Sequence, residues 1–397
     1  MKKQWLATPL MLSIAGIASA QTSVQLYGIV DAGITYRSNQ RTGSPGDYSG
    51  HSDVSVTSGN YSGSRWGLKG KEDLGGGMSA LFLLEDGFDI TSGKTGQNGG
   101  LFGRQAFVGV SNTQFGTITL GRQYSSLNDF VVSVSPVAFV GGYGAHPGDI
   151  DDLDQTARVN NSIKYTSLTY SGFAFGALYG FGGQPGSLKQ QNTWSVGASY
   201  AGGPVHAGIG YERSDNSKTG ATDPTVGKWN GSDDGFFNSS INEGYASALS
   251  QQIVHAGATY DIGPVTVGAN YSNVQYRPGS DSLFNGIATF NIVGAFAQWK
   301  VHSSLRLFGG YSYTRGGKPD GIEERAQYHN VTLGALYNLT KRSTLYVLGG
   351  YQHASGDTLN ALGNPVAATA SVSDKGNGSS SAAQSQAIIT VGMRHLF

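Results

Sequence analysis

"AIITVGMRHLF", residues 387–397, closes the chain and decides its fold. Side chains alternate across a strand, so Ile389, Val391, Met393, His395 and Phe397 share one face while Thr390, Gly392 and Arg394 share the other. Chain ends are usually ragged and polar. An apolar strand face that runs to the last carboxylate calls for hydrocarbon beside it, or for a second packed sheet.

The pattern upstream favours hydrocarbon. In "PVHAGIGY" Val205, Ala207, Ile209 and Tyr211 share a face, and in "PVTVGANY" Val265, Val267, Ala269 and Tyr271 alternate with Thr266, Gly268 and Asn270. Leu305, Leu307, Tyr311 and Tyr313 oppose Arg306, Ser312 and Thr314; Val331, Leu333, Ala335 and Tyr337 oppose Asn330, Thr332 and Asn338. Apolar faces of nearly constant length are what a lipid band of fixed height selects. Tight connections such as Gly75-Gly76-Gly77, Ser171-Gly172, Ala201-Gly202-Gly203, Asp261-Ile262-Gly263 and Leu339-Thr340-Lys341-Arg342 alternate with long polar stretches near 38–61, 87–101, 123–157, 212–248 and 354–384. These features predict an all-β transmembrane barrel of about sixteen antiparallel strands, one domain with short periplasmic turns and long extracellular loops. A soluble β-sandwich or propeller is the alternative for half-buried strands.

Lys2 and Lys3 precede an apolar run from Trp5 to Ile17 and the small triplet Ala18-Ser19-Ala20, which predicts a signal peptide over 1–20, cleaved after Ala20, and a barrel domain over 21–397. The barrel then carries 24 basic and 26 acidic residues, a balance that argues against nucleic-acid binding. Charged residues make up 13% of the chain, about half the roughly 25% of soluble domains. Mean hydropathy is −0.23, and no run after Gln21 reaches the ~18 apolar residues of a spanning helix. With no cysteine there are no disulfides and no thiolate metal sites.

Five stretches carry a family resemblance: "SVQLYGIVDAGITY", "SRWGLKGKEDLGGG", "GRQAFVGVSNTQFGTITLGRQY", "NSIKYTSLTYSGFAFGALYGFG" and the final "VGMRHLF". Spanning the mature chain, they resemble the general diffusion porins of Gram-negative outer membranes, of the trimeric proteobacterial type. The resemblance implies a water-filled pore for passive diffusion of ions and small hydrophilic solutes. It further implies outer-membrane lipid and lipopolysaccharide as surroundings, a homotrimer, no cofactor, and a terminal Phe397 read by the barrel-assembly machinery. In the family the third long loop folds into the lumen and narrows it, here about 123–157.

That loop's centre, "VVSVSPVAFV" with Pro136 and Phe139, is too apolar for free solvation and needs a wall to pack on; folding inward and closing over the top as a lid both satisfy this. Alternation puts Trp66 and Leu68 outward, hence Arg65, Lys69 and Lys71 inward; Ile163 and Tyr165 outward, hence Arg158, Asn160, Ser162 and Lys164 inward. Parity around Arg104 is ambiguous because Phe107 and Val108 compete for the lipid, and the resemblance puts Arg104 inward. Arg65, Arg104 and Arg158 then match the family's basic ladder, with Lys69 and Lys164 beside them, and fixed guanidinium charge gives modest anion preference. Many relatives carry a glutamate after the loop's proline, but Pro136 is followed here by Val137 and Ala138, and the acids come later, at Asp149, Asp151, Asp152 and Asp154. Facing the lumen, they oppose the arginines; facing the mouth, they leave the ladder alone. Their spacing suggests Ca²⁺, yet no twelve-residue loop with a closing glutamate follows, which favours a solvated acidic run and no metal. Arg122 shares parity with Ile118 and Leu120 and points away from the lumen, either into headgroups or into a trimer contact with a neighbour's Asp86 or Asp89.

Catalysis lacks the residues it needs. The eight histidines are scattered, and neither HExxH, GxSxG nor a phosphate-binding glycine loop is present. A substrate-specific sugar or anion channel is the rival to general diffusion, and the third loop has no lysine cluster and no obvious aromatic line to support it.

Overall fold

The computed structural model describes residues 23–41, 50–216, 229–230, 237, 239–319, 321–373 and 381–397; the expected signal peptide lies outside them. The strands are β1 (Ser23–Arg41), β2 (Gly50–Ser58), β3 (Arg65–Gly75), β4 (Met78–Gly87), β5 (Gln105–Asn112), β6 (Gly116–Gln123), β7 (Val159–Thr166), β8 (Phe173–Gly180) and β9 (Thr193–Gly202) in the first half. The second half adds β10 (Val205–Asp215), β11 (Ser250–Ile262), β12 (Val265–Arg277), β13 (Ala288–Lys300), β14 (Leu305–Gly316), β15 (Gln327–Asn338), β16 (Ser343–Ser355) and β19 (Ser385–Leu396), with a small hairpin of β17 (Asp357–Leu359) and β18 (Pro365–Ala367) between the last two. From β3 to β16 each strand pairs antiparallel with the next, and β19 pairs with both β16 and β1, so the sheet closes. β2 and β3 share one position: β1 pairs with β2 through Ala32–Arg41 and with β3 through Ser23–Ile29. The result is a closed barrel of sixteen strands. Closure leaves no unpaired edge, the condition for a sheet in lipid.

The predicted sorting of faces holds around the wall. Ile389, Val391 and Met393 are exposed on the outside at 52, 58 and 43%, whereas Thr390 between them is fully buried inside. Outward Val331, Leu333, Tyr271 and Leu307 behave alike. Phe397 sits at the seam: its N–H donates to the Gly28 carbonyl and Gly28 N–H donates to the Phe397 carbonyl, both at 3.1 Å. A Cβ on Gly28 would lie 2.2 Å from the Phe397 ring and 2.8 Å from the Arg65 carbonyl, a backbone atom that cannot swing away, so glycine permits the close approach at the seam.

One stretch read as loop is largely strand. Within 38–61, residues 38–41 complete β1 and 50–58 form β2. Val54 and Val56 face out at 66 and 60% exposure, and Asp53, Ser55 and Thr57 between them make a polar lumen face that by composition alone resembles a loop.

Candidate functional site

Three guanidiniums meet on the lumen wall at the long-loop end of β3, β5 and β7. Arg65 opens β3, while Arg104 and Arg158 stand one residue before their strands, where alternation does not yet bind them. They line one cavity of about 670 Å³. Tyr124 ties two of them: its hydroxyl accepts from Arg104 Nη2 at 2.7 Å and Arg158 Nη2 at 3.4 Å, and Arg158 lies 5.2 Å from its ring. Glu85, inward on β4, supplies the counter-charge the sequence reading missed. Its carboxylate accepts from Arg104 Nε at 2.9 Å and from Tyr27 Oη at 2.8 Å, and stands 3.9 Å from Arg65 Nη1. An inward acid on a barrel strand is ordinary, so nothing local marked it out.

The two lysines assigned to the ladder separate. Lys69 lies deeper on the same wall, 5.1 Å over the Tyr27 ring. Lys164 faces inward as expected, but its Nζ donates to Asp129 at 2.8 Å and to the Tyr124 carbonyl at 3.1 Å, which fastens the third loop. Asn160 departs from the expected parity: a bulge at Asn161, φ +49°, brings Val159 opposite Gln123, and Asn160 Oδ1 accepts from Arg122 Nη1 at 2.5 Å. Arg122 Nε also donates to the Gly103 carbonyl at 2.7 Å, so its outward position is supported within its own chain. Of the neighbour acids considered for it, Asp86 is buried beneath Trp66, whose Nε1 donates to it at 3.1 Å, and Asp89 caps Thr91 and Ser92.

The third loop, 124–158, lies inside the barrel and not over it as a lid. Ser125 caps α1 (Ser126–Val131), and the helix rests on the inner wall of β9 and β10. Backbone approach is close enough that a Cβ on Gly208 would lie 2.1 Å from the Phe130 carbonyl, and one on Gly197 2.4 Å from that of Ser126. Pro136 leads into α2 (Val137–Val140), whose Phe139 packs between Phe296 and Phe308 at centroid distances of 5.3 and 6.1 Å. Beyond the tip, Thr332 Oγ1 donates to the Tyr143 carbonyl at 2.9 Å, and Tyr143 Oη bonds Thr390 Oγ1. The loop thus spans the far wall and leaves the passage against the arginines.

Its acids are not a solvated run. Asp149, Asp151 and Asp152 are 5, 0 and 1% exposed. Asp151 Oδ2 meets His146 Nδ1 at 2.6 Å, Ser272 Oγ at 2.5 Å and His255 Nδ1 at 3.6 Å. Burial by itself raises the Asp151 carboxyl, but His146 and His255 overcome it and hold the group below the usual carboxylate range. Asp149 accepts from Asp154 N–H at 2.9 Å and Thr156 Oγ1 at 2.7 Å, which folds the loop's return. Asp152 accepts from Ala157 N–H at 2.7 Å; burial, then Asp149 and Glu212, push it well above the usual range. Asp154 lines the arginine cavity. The acids therefore split between loop anchoring and the passage. Among the described residues, no group of three or more His, Cys, Asp or Glu is arranged to hold a metal ion.

A second element enters the lumen. Between β2 and β3, residues 59–64 leave the wall, and buried Asp31 gathers the backbone N–H groups of Asn60, Tyr61 and Ser62 at 3.1, 3.2 and 2.9 Å. Tyr346 Oη donates to the same carboxylate at 2.6 Å. The segment supports Arg65, whose Nε donates to the Gly63 carbonyl at 2.9 Å, and meets the third loop at Gly141, where a Cβ would lie 2.0 Å from the Tyr61 carbonyl. Its glycines and serines had merged with the polar stretch before it.

A closed sixteen-strand barrel with lipid-sorted faces, an inward third loop and an arginine-lined passage defines an outer-membrane diffusion pore. The family model for Gram-negative porins matches residues 7–357, and the chain belongs to that family. It is 32% identical to an outer membrane porin protein of Bordetella pertussis over 88% of this chain and 94% of that one. It is 29% identical to outer membrane porin protein 32 of Delftia acidovorans over the full length of both. Among solved structures, the anion-selective porin from Comamonas acidovorans shares the fold with a TM-score of 0.70 at 23% identity, covering 95% of this chain and all of that one.

Proposed function

We propose that this outer-membrane pore passes small solutes with a modest preference for anions, and that Arg65, Arg104 and Arg158 set that preference. The observation that carries the reading is the convergence of three guanidiniums on one cavity while Asp149, Asp151 and Asp152 are buried elsewhere. Asp89 and Asp154 on the lining, and Glu85 behind Arg104, temper the field and keep the preference modest. The similar porin from Comamonas acidovorans is described as anion-selective, which supports the same sign. Lys69 extends the basic wall inward, Pro136 and Phe139 hold the constriction loop on the far wall, and Asp149, Asp151, Asp152 and Asp154 shape its return.

The test is a planar-bilayer recording across a salt gradient. The reversal potential falls on the anion side for the parent and moves toward zero for Arg65→Gln, Arg104→Gln and Arg158→Gln. A cation-side reversal in the parent defeats the reading.

The same reading takes the functional unit as a homotrimer, a state named for a structure of OmpT from Vibrio cholerae that shares the fold. Arg122 lies at the contact between subunits, Phe397 is the strand end read during assembly, and residues 1–20 are a leader removed on export. Arg122→Ala trimers that resist SDS and heat as well as the parent remove Arg122 from the contact.

A further inference from the structure

The outer face changes character toward the long-loop rim. On β10 and β12 the lipid-facing positions are apolar up to Tyr211 and Tyr271, and beyond these come Arg213 and Asp215 on one strand and Asn273, Gln275 and Arg277 on the other. Between them, in register with Arg213 on one side and Gln275 on the other, stands Gln252 of β11. With its amide oriented to satisfy both neighbours, the Gln252 side-chain oxygen accepts from Arg213 Nη1 at 3.0 Å and Arg277 Nε at 3.1 Å. Two guanidiniums on the lipid side of a barrel are thereby held at a single oxygen.

Isolated cations on this face are costly at mid-bilayer and are met only near the rim. Here the cost is accepted twice at one spot. Arg213 is balanced by Asp215, Nη2 to Oδ1 at 2.8 Å, and Arg277 Nη2 donates to Gln275 Oε1 at 2.9 Å. Each guanidinium has five N–H donors, so both keep donors for an outside oxygen. Counting Asp215, the cluster carries one net positive charge. At this height, above a tyrosine row and on the outer wall, the anions within reach of a membrane protein are the phosphates of lipid headgroups, and guanidinium forks match their geometry.

We propose that Arg213, Gln252 and Arg277 form a binding site for the phosphate of an outer-leaflet lipid. The site is separate from the lumen and rests on the family's outer-membrane placement, not on the anion preference proposed above. It gives the barrel a fixed lipid contact on strands remote from β6, where the subunit contact is placed.

The test uses purified full-length protein in detergent and a diphosphorylated lipid A as probe. Lipid A raises the heat-unfolding midpoint of the parent and stays bound through gel filtration. Arg213→Gln/Arg277→Gln retains several-fold less lipid phosphorus per chain, with unchanged single-channel conductance. Arg213→Lys/Arg277→Lys, which keeps the charge and loses the fork, retains an intermediate amount and serves as the readout if the glutamine variant fails to fold. Equal retention by the parent and the lysine variant, or an equal midpoint rise with inorganic phosphate at the same concentration, overturns the proposal.

Discussion

Glu85 and Arg104 meet at 2.9 Å on the lumen wall, and the pair sits where two more arginines converge. Removing one partner of a buried charge pair costs about 3–5 kcal/mol, because the other stays buried and unpaired. Glu85→Gln therefore lowers the heat-unfolding midpoint and shifts the reversal potential further to the anion side. A shift toward cations would show that Glu85 does not temper this field.

The docking of the third loop depends on Phe139 between Phe296 and Phe308. Phe→Ala in a full core costs about 3–5 kcal/mol, and roughly half of that applies to this half-buried ring. Phe139→Ala should leave the barrel folded and give larger, noisier single-channel steps. Unchanged conductance would mean the loop is held without it.

Asp31 organises residues 59–64 through three backbone N–H groups. Each buried donor left without a partner costs about 1–3 kcal/mol. Asp31→Ala is expected to free the segment and loosen Arg65, giving higher conductance and weaker anion preference. A loss of heat resistance with selectivity unchanged would assign Asp31 to the wall alone.

Asp152 supplies a pH signature. Its raised pKa means the folded state binds the proton more tightly than the unfolded one, so the penalty for its charge is absent below about pH 4, the ordinary Asp value, and grows as pH rises toward the folded value. Asp152 Oδ1 keeps its bond to Ala157 N–H in Asp152→Asn, while the buried Oδ2 has no partner to lose. The stability of the variant relative to the parent should therefore rise as pH increases from 4 to 8. An advantage independent of pH rules out the charge as its cause.

The barrel was legible because lipid sorts side chains by parity: Ile389, Val391 and Met393 against Thr390, and Val331 and Leu333 against Thr332. Parity fails where another element covers the lumen face. On β13, Phe290, Ile292 and Phe296 point inward and are buried by loops, so both faces of "ATFNIVGAFAQWK" are apolar and the alternation fades. It fails too at a bulge, as at Asn161, and where a polar lumen face resembles a loop, as in β2. Alternation pointed Arg65 and Arg158 inward, whereas the parity around Arg104 was ambiguous and only the family resemblance placed it. Glu85 and Asp31 were not legible, because what distinguishes them is the partner each meets across the sheet, at sequence separations of 19 and about 30 residues.

On the proposed function, current passes between the third loop and the arginine wall. The chain has no cysteine, so a single introduced thiol reports cleanly. Ser62→Cys places one on the lining of the passage. In planar bilayers, a thiol reagent carrying a negative charge should reduce the single-channel current and react faster than a cationic reagent of equal size. Full current after complete modification would place the passage elsewhere, and faster reaction with the cation would show that the arginines do not set its field.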